Sequence, residues 1–241
     1  MAFLEANPAI AKIGACAGKI DGAGNNVRGV RAPPLDHDDI VAWQLFRSPF
    51  QQSSIMGRSH ILKEFPSRLD YRVCEDVDVF LRLTREHRVA NLPKLLIDRR
   101  LHAGQTIQTK RKDIEEVEAS LLTPQFERLG MVFIPLDISR HLHLGTGGRG
   151  GGRPDAAYLQ WAEEWLIQLL RANDRLPLVK PEALRFAVAY FWIRACRRAV
   201  GRIGFFPAFK KLVSSGLAAG AINQHARRWS RRSLPLISRP Y

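Results

Sequence analysis

Two adjacent carboxylates, Glu75 and Asp76, stand at the start of an amphipathic segment and are well placed for acid–base chemistry. Residues 74–83 read Cys-Glu-Asp-Val-Asp-Val-Phe-Leu-Arg-Leu, and we predict a helix over residues 77–86 with Phe80 and Leu83 facing inward. A carboxylate beside a helix N-terminus is stabilised by the partial positive charge of the unpaired amide groups. Asp76 would then be a fixed, ionised group that can accept a proton from a hydroxyl nucleophile. Ordinary helix capping explains the same residues without catalysis.

Short segments of distinctive composition flank the acidic pair. They are residues 3–8 (Phe-Leu-Glu-Ala-Asn-Pro), 13–14 (Ile-Gly), 51–58 (Gln-Gln-Ser-Ser-Ile-Met-Gly-Arg), 91–93 (Asn-Leu-Pro) and 95–102 (Leu-Leu-Ile-Asp-Arg-Arg-Leu-His). Their order and spacing, over about residues 2–115, resemble the second half of a family 2 glycosyltransferase with the GT-A fold. The resemblance implies an α/β fold, a partial GT-A mixed sheet with helices, followed by an α-helical basic tail. It also implies a turn at residues 91–93 that leads to the next strand.

The resemblance implies glycosyl transfer with Asp76 as the general base. Asp76 would deprotonate an acceptor hydroxyl as its oxygen attacks the anomeric carbon of a nucleotide-activated sugar, and this single displacement inverts the configuration there. General base catalysis contributes about 10²–10⁴-fold, so positioning and charge stabilisation on the departing diphosphate must supply the rest. Glu75 would orient the acceptor or the base; its alternative is a plain surface carboxylate.

The family's other ligand contacts correspond to six positions of this sequence. Contacts to the donor or acceptor would come from Arg99, Arg100, Ser53, Ser54 and Gly57, and contact to a divalent metal or the diphosphate would come from His102. Guanidinium groups form strong charge-assisted bonds to phosphate, and small residues let the backbone approach a ligand. Imidazole suits manganese better than magnesium. The structural alternatives are solvated arginines, strand packing and a structural histidine.

The family's nucleotide-binding strands and its Asp-x-Asp motif have no counterpart in this sequence. Asp76-Val77-Asp78 has those letters, but it occupies the position of the acceptor-side pair. The resemblance therefore leads us to expect that the donor-binding half lies outside residues 1–241. Three explanations stay open: the chain is a fragment, its start is assigned too late, or another polypeptide supplies the missing half.

Composition is typical of a globular protein and favours a reducing compartment. Hydrophobic residues make up 46% and charged residues 25% of the 241 residues, which is ordinary for a globular protein. Cys16, Cys74 and Cys196 are far apart and fit neither a disulfide framework nor a zinc site. The apolar stretch 184–196 contains two arginines and is too short and too charged for a membrane span. We therefore expect a cytoplasmic protein.

Glycine content and helical periodicity divide the chain into three parts. We predict a partial GT-A domain over residues 1–122, a connecting segment over 123–154 and a basic α-helical region over 155–241. Residues 145–152 read Gly-Thr-Gly-Gly-Arg-Gly-Gly-Gly, which is typical of a flexible linker. A phosphate-binding loop would require a preceding strand and a following Lys-Ser/Thr pair, and this segment has neither.

Local patterns predict the remaining elements. In the first part they are a helix end over residues 2–6, a strand over Ile10–Ile20, a helix over 38–46, a short strand over 53–58, a helical turn over 61–65 and a strand over 94–101. A charged helix to about Leu122 and a short edge strand over 131–136 follow. In the third part, Asp155 is a predicted N-cap, and Pro181 opens a helix to about Val200.

Positive charge is concentrated towards the end of the chain. Residues 1–182 contain 25 Lys/Arg and 23 Asp/Glu, whereas residues 183–241 contain 12 Lys/Arg and no acidic residue. Such a basic region with interleaved aromatic residues can lie on an anionic membrane, can bind nucleic-acid phosphates, or can be a helical appendage with solvated arginines. The balanced charge of residues 1–182 argues against a nucleic-acid binder.

These observations support two functional hypotheses. The first is a bacterial glycosyltransferase that moves a sugar from a nucleotide-sugar donor to a glycan or lipid-linked acceptor in polysaccharide or cell-envelope synthesis. It would be inactive alone if its donor-binding half is missing, and its basic region would hold it at the inner face of the plasma membrane. The second is a non-catalytic remnant or membrane-associated interaction module.

Overall fold

The computed structural model describes residues 1–29, 32–102, 104–147 and 152–218, which form two compact units. The first unit contains residues 1–44 and 48–118, and the second contains 45–47 and 119–218. In chain order the elements are α1 (Ala2–Ala6), β1 (Ile10–Ile20), α2 (His37–Gln44), β2 (Met56–Gly57), α3 (Ser59–Glu64), α4 (Glu75–Glu86), β3 (Arg88–Arg100), α5 (Thr106–Thr109), α6 (Arg111–Arg128), α7 (Pro135–Thr146), α8 (Ala156–Arg175), α9 (Pro181–Ile203) and α10 (Phe205–Ser214). The protein is therefore a mixed α/β structure with a small sheet and a majority of helices.

Three strands form the sheet of the first unit, in the order β2-β1-β3. β1 pairs antiparallel with β2 and parallel with β3. This central strand is buried from Ala11 to Gly18, and the residues of that stretch are small or apolar apart from Lys12, as expected of a strand covered on both faces. The predicted strand over Ile10–Ile20 is confirmed.

β3 is longer than the predicted strand over residues 94–101, and residues 91–93 do not form a turn before it. The strand begins at Arg88 and passes through Pro93. Proline cannot donate a ladder hydrogen bond, and the register of the β1–β3 pairing shifts beside it. The prediction of a turn was wrong because a strand can continue past a proline at such an irregularity.

The predicted strand over residues 53–58 is mostly wrong. Gln52–Ser54 form a 3₁₀ turn, and only Met56–Gly57 pair as β2. The Oγ of Ser54 accepts a hydrogen bond from the Ala15 amide at 3.0 Å and donates one to the Gln51 carbonyl at 2.8 Å. This side chain satisfies an amide of β1 that a longer neighbouring strand would bond through its backbone.

The hydrophobic core of the first unit joins α2, α4 and β3. Its buried members are Ile40, Phe50, Phe65, Phe80, Leu83 and Val89. The rings of Phe50 and Phe80 meet edge to face with their centroids 4.9 Å apart, an arrangement worth ~0.5–1.5 kcal/mol beyond burial. Phe80 and Leu83 face inward, as their spacing predicted. Because Phe80 lies one helical turn after Asp76, this packing also fixes the acidic end of α4.

α4 begins at Glu75, two residues before the predicted start. The preceding Cys74 adopts the left-handed conformation, with φ 59° and ψ 19°, which is uncommon for a residue other than glycine. The Cys74 carbonyl accepts hydrogen bonds from the amides of Val77 at 3.0 Å and Asp78 at 3.2 Å. The bend at Cys74 therefore places the acidic pair inside the first helical turn.

Helices α7, α8 and α9 build much of the second unit. The predicted edge strand over residues 131–136 is wrong, because α7 begins at Pro135. Proline suits the first helical turn, and the Asp137 carboxylate accepts a hydrogen bond from the Ile134 amide at 3.0 Å. These two features stabilise a helix start that the short apolar pattern alone did not indicate.

The predicted helix starts of the basic region are confirmed. The Asp155 carboxylate caps α8 by accepting a hydrogen bond from the Tyr158 amide at 2.8 Å, and α9 begins at Pro181. Near the end of α8, the side-chain oxygen of the buried Asn173 accepts hydrogen bonds from the amides of Leu178 and Val179, each at 3.0 Å. One asparagine therefore fixes the loop that joins α8 to α9.

The core of the second unit contains a buried histidine among aromatic rings. Trp165 Nε1 donates to His141 Nδ1 at 2.8 Å, and His141 Nε2 lies 2.6 Å from the Leu45 carbonyl. Nε2 therefore carries the proton, and the ring is neutral. Phe46 stacks on Phe191 with centroids 4.4 Å apart, which joins residues 45–47 to this core.

The glycine-rich segment over residues 145–152 is partly helical. α7 continues to Thr146, and Gly147 ends it with φ 81°, a conformation that glycine adopts freely. The guanidinium of Arg194 donates to the carbonyls of Gly145 at 2.8 Å and Thr146 at 2.9 Å. This arginine of the basic region therefore stabilises a helix C-terminus. Residues 148–151 of the predicted linker lie outside the described residues.

Other cations of the basic region also make ion pairs. Arg202 lies 3.5 Å from the Asp155 carboxylate, and Lys211 pairs with Glu163. The predicted basic tail is thus helical and packed as far as α10, and its residues 219–241 lie outside the described residues. None of the helices in the described ranges is long and apolar enough to cross a membrane.

Candidate functional site

The carboxyl group of Asp76 lies in the first turn of α4 and is half-buried. Its Oδ1 accepts a hydrogen bond from the Val77 amide at 2.9 Å. Burial raises the pKa of Asp76 above its usual value of 3.8, and repulsion from Glu75 raises it further. The Val77 amide and the charge of Lys12 lower this pKa, but the net direction is upward. Asp76 therefore holds a proton more readily than an exposed aspartate. The expectation that the helix N-terminus favours its ionised form was wrong in net direction, because burial outweighs the backbone amide. A raised pKa suits a general base.

Lys12 of β1 reaches the same region from the sheet. The residue is 1% exposed, and its Nζ lies 3.5 Å from the ring centroid of Phe50 and 3.4 Å from that of Phe80. Among the described residues, Nζ has no hydrogen-bond partner. Burial lowers the pKa of Lys12 well below 10.5, and the negative charge of Asp76 partly restores it. A buried amine thus interacts electrostatically with the candidate base.

The second aspartate of the Asp-Val-Asp run has a structural role. Asp78 is 3% exposed, and its carboxylate lies 2.9 Å from Arg82 and 3.5 Å from Arg68. Arg82 also donates to the Pro66 carbonyl at 2.6 Å. These bonds connect α4 to the loop before it. Glu75 and Asp76 are therefore the carboxylates of this turn that remain available for chemistry.

Of the small residues predicted to contact sugar, Gly57 lies beside this region. It pairs with Lys12 across β1 and β2. A side chain at this position would meet Leu62 Cδ1 at 2.9 Å and the Ala11 carbonyl at 3.1 Å, so close packing favours glycine here without any ligand. Ser54 is bonded to β1, whereas Ser53 is exposed. Sugar contact by all three residues stays a prediction.

The residues predicted to contact phosphate or metal stand at the end of β3. In the parallel ladder, Arg99 and Arg100 pair with the last residues of β1, whereas Lys12 is near its start. Arg100 donates to the carbonyls of Asp21 at 3.1 Å and Gly22 at 2.9 Å, so part of its guanidinium is engaged. The ladder therefore separates these positions from Lys12 by most of the length of β1, and phosphate contact stays a prediction.

His102 follows β3 and is exposed. Within the part of the chain that the structure describes, no three His, Cys, Asp or Glu side chains come together as a group that could hold a metal ion. His102 would therefore supply a single imidazole to the expected manganese or magnesium ion, and the described residues do not complete its coordination.

Part of the chain is similar in sequence to a glycosyltransferase. A protein of Haemophilus influenzae named as an uncharacterized glycosyltransferase is 32% identical over 75 residues, which are 30% of this chain and 23% of that relative. The match thus spans less than a quarter of the relative's length. No protein-family profile matches the chain, and no solved structure matches it. The similarity indicates a distant relation to glycosyltransferases.

Lys12 is the member of this site that the sequence analysis missed. One signal could have indicated it: a lysine stands between Ala11 and Ile13 in residues 10–18, which are otherwise small or apolar. A charged residue in a strand covered on both faces is rarely buried without a partner. Its influence on Asp76 could not be inferred, because tertiary packing alone brings the two charges within range of each other.

Proposed function

We propose that this chain acts in glycosyl transfer as the acceptor side of a family 2 glycosyltransferase with the GT-A fold. The Asp76 carboxyl carries the proposal, because it is fixed in the first turn of α4 and its pKa is raised by burial. The similarity of part of the chain to a glycosyltransferase supports the reaction class. The order of the small, acidic and basic segments supports the family.

In the proposed reaction, the ionised Asp76 removes the proton from an acceptor hydroxyl. The hydroxyl oxygen forms a bond to the anomeric carbon of the donor sugar, while the bond from that carbon to the diphosphate oxygen breaks. The nucleoside diphosphate leaves with the electron pair, and the proton remains on Asp76 until it passes to solvent. Attack opposite the leaving group inverts the anomeric configuration. The raised pKa of Asp76 strengthens it as a proton acceptor.

Other residues have supporting roles in this proposal. Glu75 orients the acceptor hydroxyl and raises the pKa of Asp76 through its like charge. The remaining predicted contacts are Ser53, Ser54 and Gly57 to sugar, Arg99 and Arg100 to the departing diphosphate, and His102 to a manganese or magnesium ion. A diphosphate would share the guanidinium of Arg100 with two backbone carbonyls. The proposed partners are a nucleotide-sugar donor and a glycan or lipid-linked acceptor.

Substitution of Asp76 by Asn tests the role of the base in the longest reading frame that contains these 241 residues. A panel of nucleotide sugars is offered with glycan and lipid-linked acceptors, and release of nucleoside diphosphate is measured. We expect Asp76→Asn to reduce turnover by about 10²–10⁴-fold, with donor affinity by calorimetry largely unchanged. Asp113→Asn, at an exposed position of α6, is the matched control and should retain turnover.

Two outcomes would contradict the proposal. Near-normal turnover in Asp76→Asn would exclude this carboxylate as the base. Absence of both transfer and donor binding across the panel would favour the rival hypothesis, a non-catalytic interaction module.

The exposed face of α10 favours an additional role, binding to an anionic membrane surface. Phe205, Phe206, Phe209 and Val213 are 59%, 82%, 52% and 62% exposed, and Lys210 is exposed next to them in the helix. Residues 183–241 contain no acidic residue that would repel anionic lipid. Aromatic and basic residues on one amphipathic helix are typical of interfacial binding. This surface would hold the protein at the inner face of the plasma membrane, close to a lipid-linked acceptor.

Vesicle co-sedimentation of the full chain tests this membrane surface. We expect binding to phosphatidylcholine vesicles that contain phosphatidylglycerol, weaker binding at high salt, and loss of binding in Phe206→Ser/Phe209→Ser. Leu69→Ser, in the first unit at a residue that is 98% exposed, is the control and should bind normally. Indifference to lipid charge and salt would defeat the proposal. Lipid-free self-association that the double substitution abolishes would instead assign this surface to a second copy.

A further inference from the structure

The environment of Lys12 calls for an explanation that packing does not supply. The side chain is 1% exposed and is surrounded by the rings of Phe50 and Phe80. An amine that leaves water without gaining a hydrogen-bond acceptor is costly, and an apolar side chain of similar length would fill the space without that cost. We therefore expect that the role of Lys12 depends on its positive charge and not on the space that its side chain fills.

The two rings hold the amine against one particular face of α4. Nζ lies 3.5 Å and 3.4 Å from the two ring centroids, distances at which a cation is attracted by the ring faces. Phe80 follows Asp76 by four residues in α4, and residues at this spacing lie on the same side of a helix. The amine is therefore held on the side of α4 that carries the candidate base.

We propose that Lys12 is a positioning residue for the Asp76 base, whose ammonium group keeps Asp76 ionised without occupying its carboxylate oxygens. The inference rests on the function proposed above for Asp76. A direct salt bridge, such as the one between Asp78 and Arg82 at 2.9 Å, would occupy an oxygen that must receive the acceptor's proton. In the described structure Nζ makes no hydrogen bond, so Lys12 acts on Asp76 through its electric field.

Two charged groups act on Asp76 in opposite directions. Glu75, next to it in α4, raises the pKa of Asp76, whereas Lys12 from β1 lowers it. Asp76 is in turn the charged group that raises the pKa of Lys12 against the effect of burial. Neutralising Lys12 and neutralising Glu75 should therefore shift the titration of Asp76 in opposite directions.

The test is a ¹³C NMR titration of the Asp76 carboxyl in the full chain. We expect its pKa to rise in Lys12→Met and to fall in Glu75→Gln, relative to the unsubstituted protein. In the transferase assay, the pH at which the rate falls on the acid side should move upward in Lys12→Met and downward in Glu75→Gln. An Asp76 pKa that does not change in Lys12→Met would overturn the proposal.

Thermal unfolding provides a readout that does not need activity. Because Lys12→Met replaces an unpaired buried amine by an apolar side chain of similar length, we expect the variant to unfold at a higher temperature. A lower unfolding temperature, or a variant that does not fold, would show that the amine stabilises the fold and would contradict the inference.

A measurement on the unsubstituted chain keeps the test independent of any variant's folding. The ¹³Cε shift of Lys12 should respond in the pH range where the Asp76 carboxyl titrates, because coupled groups titrate together. No such response would overturn the proposal. The two proposals can fail separately. Full turnover in Asp76→Asn would exclude Asp76 as the base but would leave the electrostatic coupling between Lys12 and Asp76 intact. A Lys12 whose shift does not respond to the titration of Asp76 would exclude only the role proposed for Lys12.

Discussion

At the scale of single residues, three carboxylates within one stretch of α4 differ because their neighbours differ. Asp78 is buried in ion pairs with two arginines, so it stabilises the fold as an anion. Asp76 is half-buried beside Glu75 and accepts one backbone hydrogen bond. Its ionised form is disfavoured by burial, and this would strengthen it as a proton acceptor in the proposed reaction.

Neutralising Asp76 and neutralising Asp78 should change stability in opposite directions. The folded state raises the pKa of Asp76, so stability is lost as pH rises from 3.8 through the folded pKa. Asp76→Asn lacks this charge and should be more stable than the unsubstituted chain at pH 7, with the difference shrinking towards pH 4. Asp78→Asn should lower the free energy of unfolding by about 1–3 kcal/mol, because it leaves Arg82 without its partner.

Urea unfolding between pH 4 and pH 8 measures both effects. If Asp76→Asn is less stable than the unsubstituted chain at pH 7, the ionised Asp76 stabilises the fold. That result would contradict the prediction, which follows from the burial of this carboxyl group.

At the scale of elements, the start of α4 depends on one backbone conformation. Cys74 is left-handed, and its carbonyl accepts two amides of the first turn. The helix therefore starts abruptly, with Glu75 and Asp76 as its first residues. A residue other than glycine in this conformation stores roughly 1–2 kcal/mol of strain, which the surrounding structure must offset.

Replacement of Cys74 by glycine should relieve this strain. We expect Cys74→Gly to raise the free energy of unfolding by about 0.5–1 kcal/mol, since glycine adopts positive φ without a steric penalty but loses more chain entropy on folding. Cys74→Val should lower it by about 1–2 kcal/mol, because a β-branched residue tolerates this conformation poorly. Chemical denaturation monitored by circular dichroism gives both values. Equal stability of the two variants would contradict the backbone argument.

At the scale of the whole molecule, each compact unit contains one buried basic group whose protonation is linked to folding. In the first unit it is Lys12. In the second it is His141, whose pKa is lowered to about 4, because burial disfavours its charged form more than the Leu45 carbonyl favours it. The two units should therefore respond differently to acid.

The second unit should lose stability as pH falls from 6.5 towards 4. In this range the unfolded histidine binds a proton that the folded one, with its pKa near 4, does not bind. The loss contributed by His141 should be on the order of 2–3 kcal/mol by pH 4. Unfolding followed by tryptophan fluorescence measures it, because Trp161, Trp165 and Trp192 lie in this unit.

Two variants separate His141 from other titrating groups. His141→Gln should be less stable at pH 7, since it loses the bonds to Trp165 and Leu45, but its stability should depend less on pH. His60→Gln, at an exposed position, should keep the pH dependence of the unsubstituted chain. If the stability of His141→Gln falls with pH as steeply as that of the unsubstituted chain, this histidine is not the source of the pH dependence.

Elements whose signals are local could be predicted from the order of residues alone. The central strand Ile10–Ile20, the inward faces of Phe80 and Leu83, the Asp155 cap and the helix start at Pro181 were predicted correctly, because periodicity and capping act between near neighbours. The acidic pair was also visible in the sequence, as a candidate site at a helix start.

Tertiary structure decided what these local patterns could not. The 3₁₀ turn at Gln52–Ser54 and the passage of β3 through Pro93 depend on bonds or pairings with distant residues. The helix at Pro135 instead starts on local features, Pro135 and the Asp137–Ile134 hydrogen bond, which the apolar pattern did not reveal. Tertiary structure also placed Lys12 near Asp76 and occupied Asp78 with arginines. The physical reason is that burial and the electric field at a carboxyl are set by groups that are close in space, and the chain order does not specify which those are.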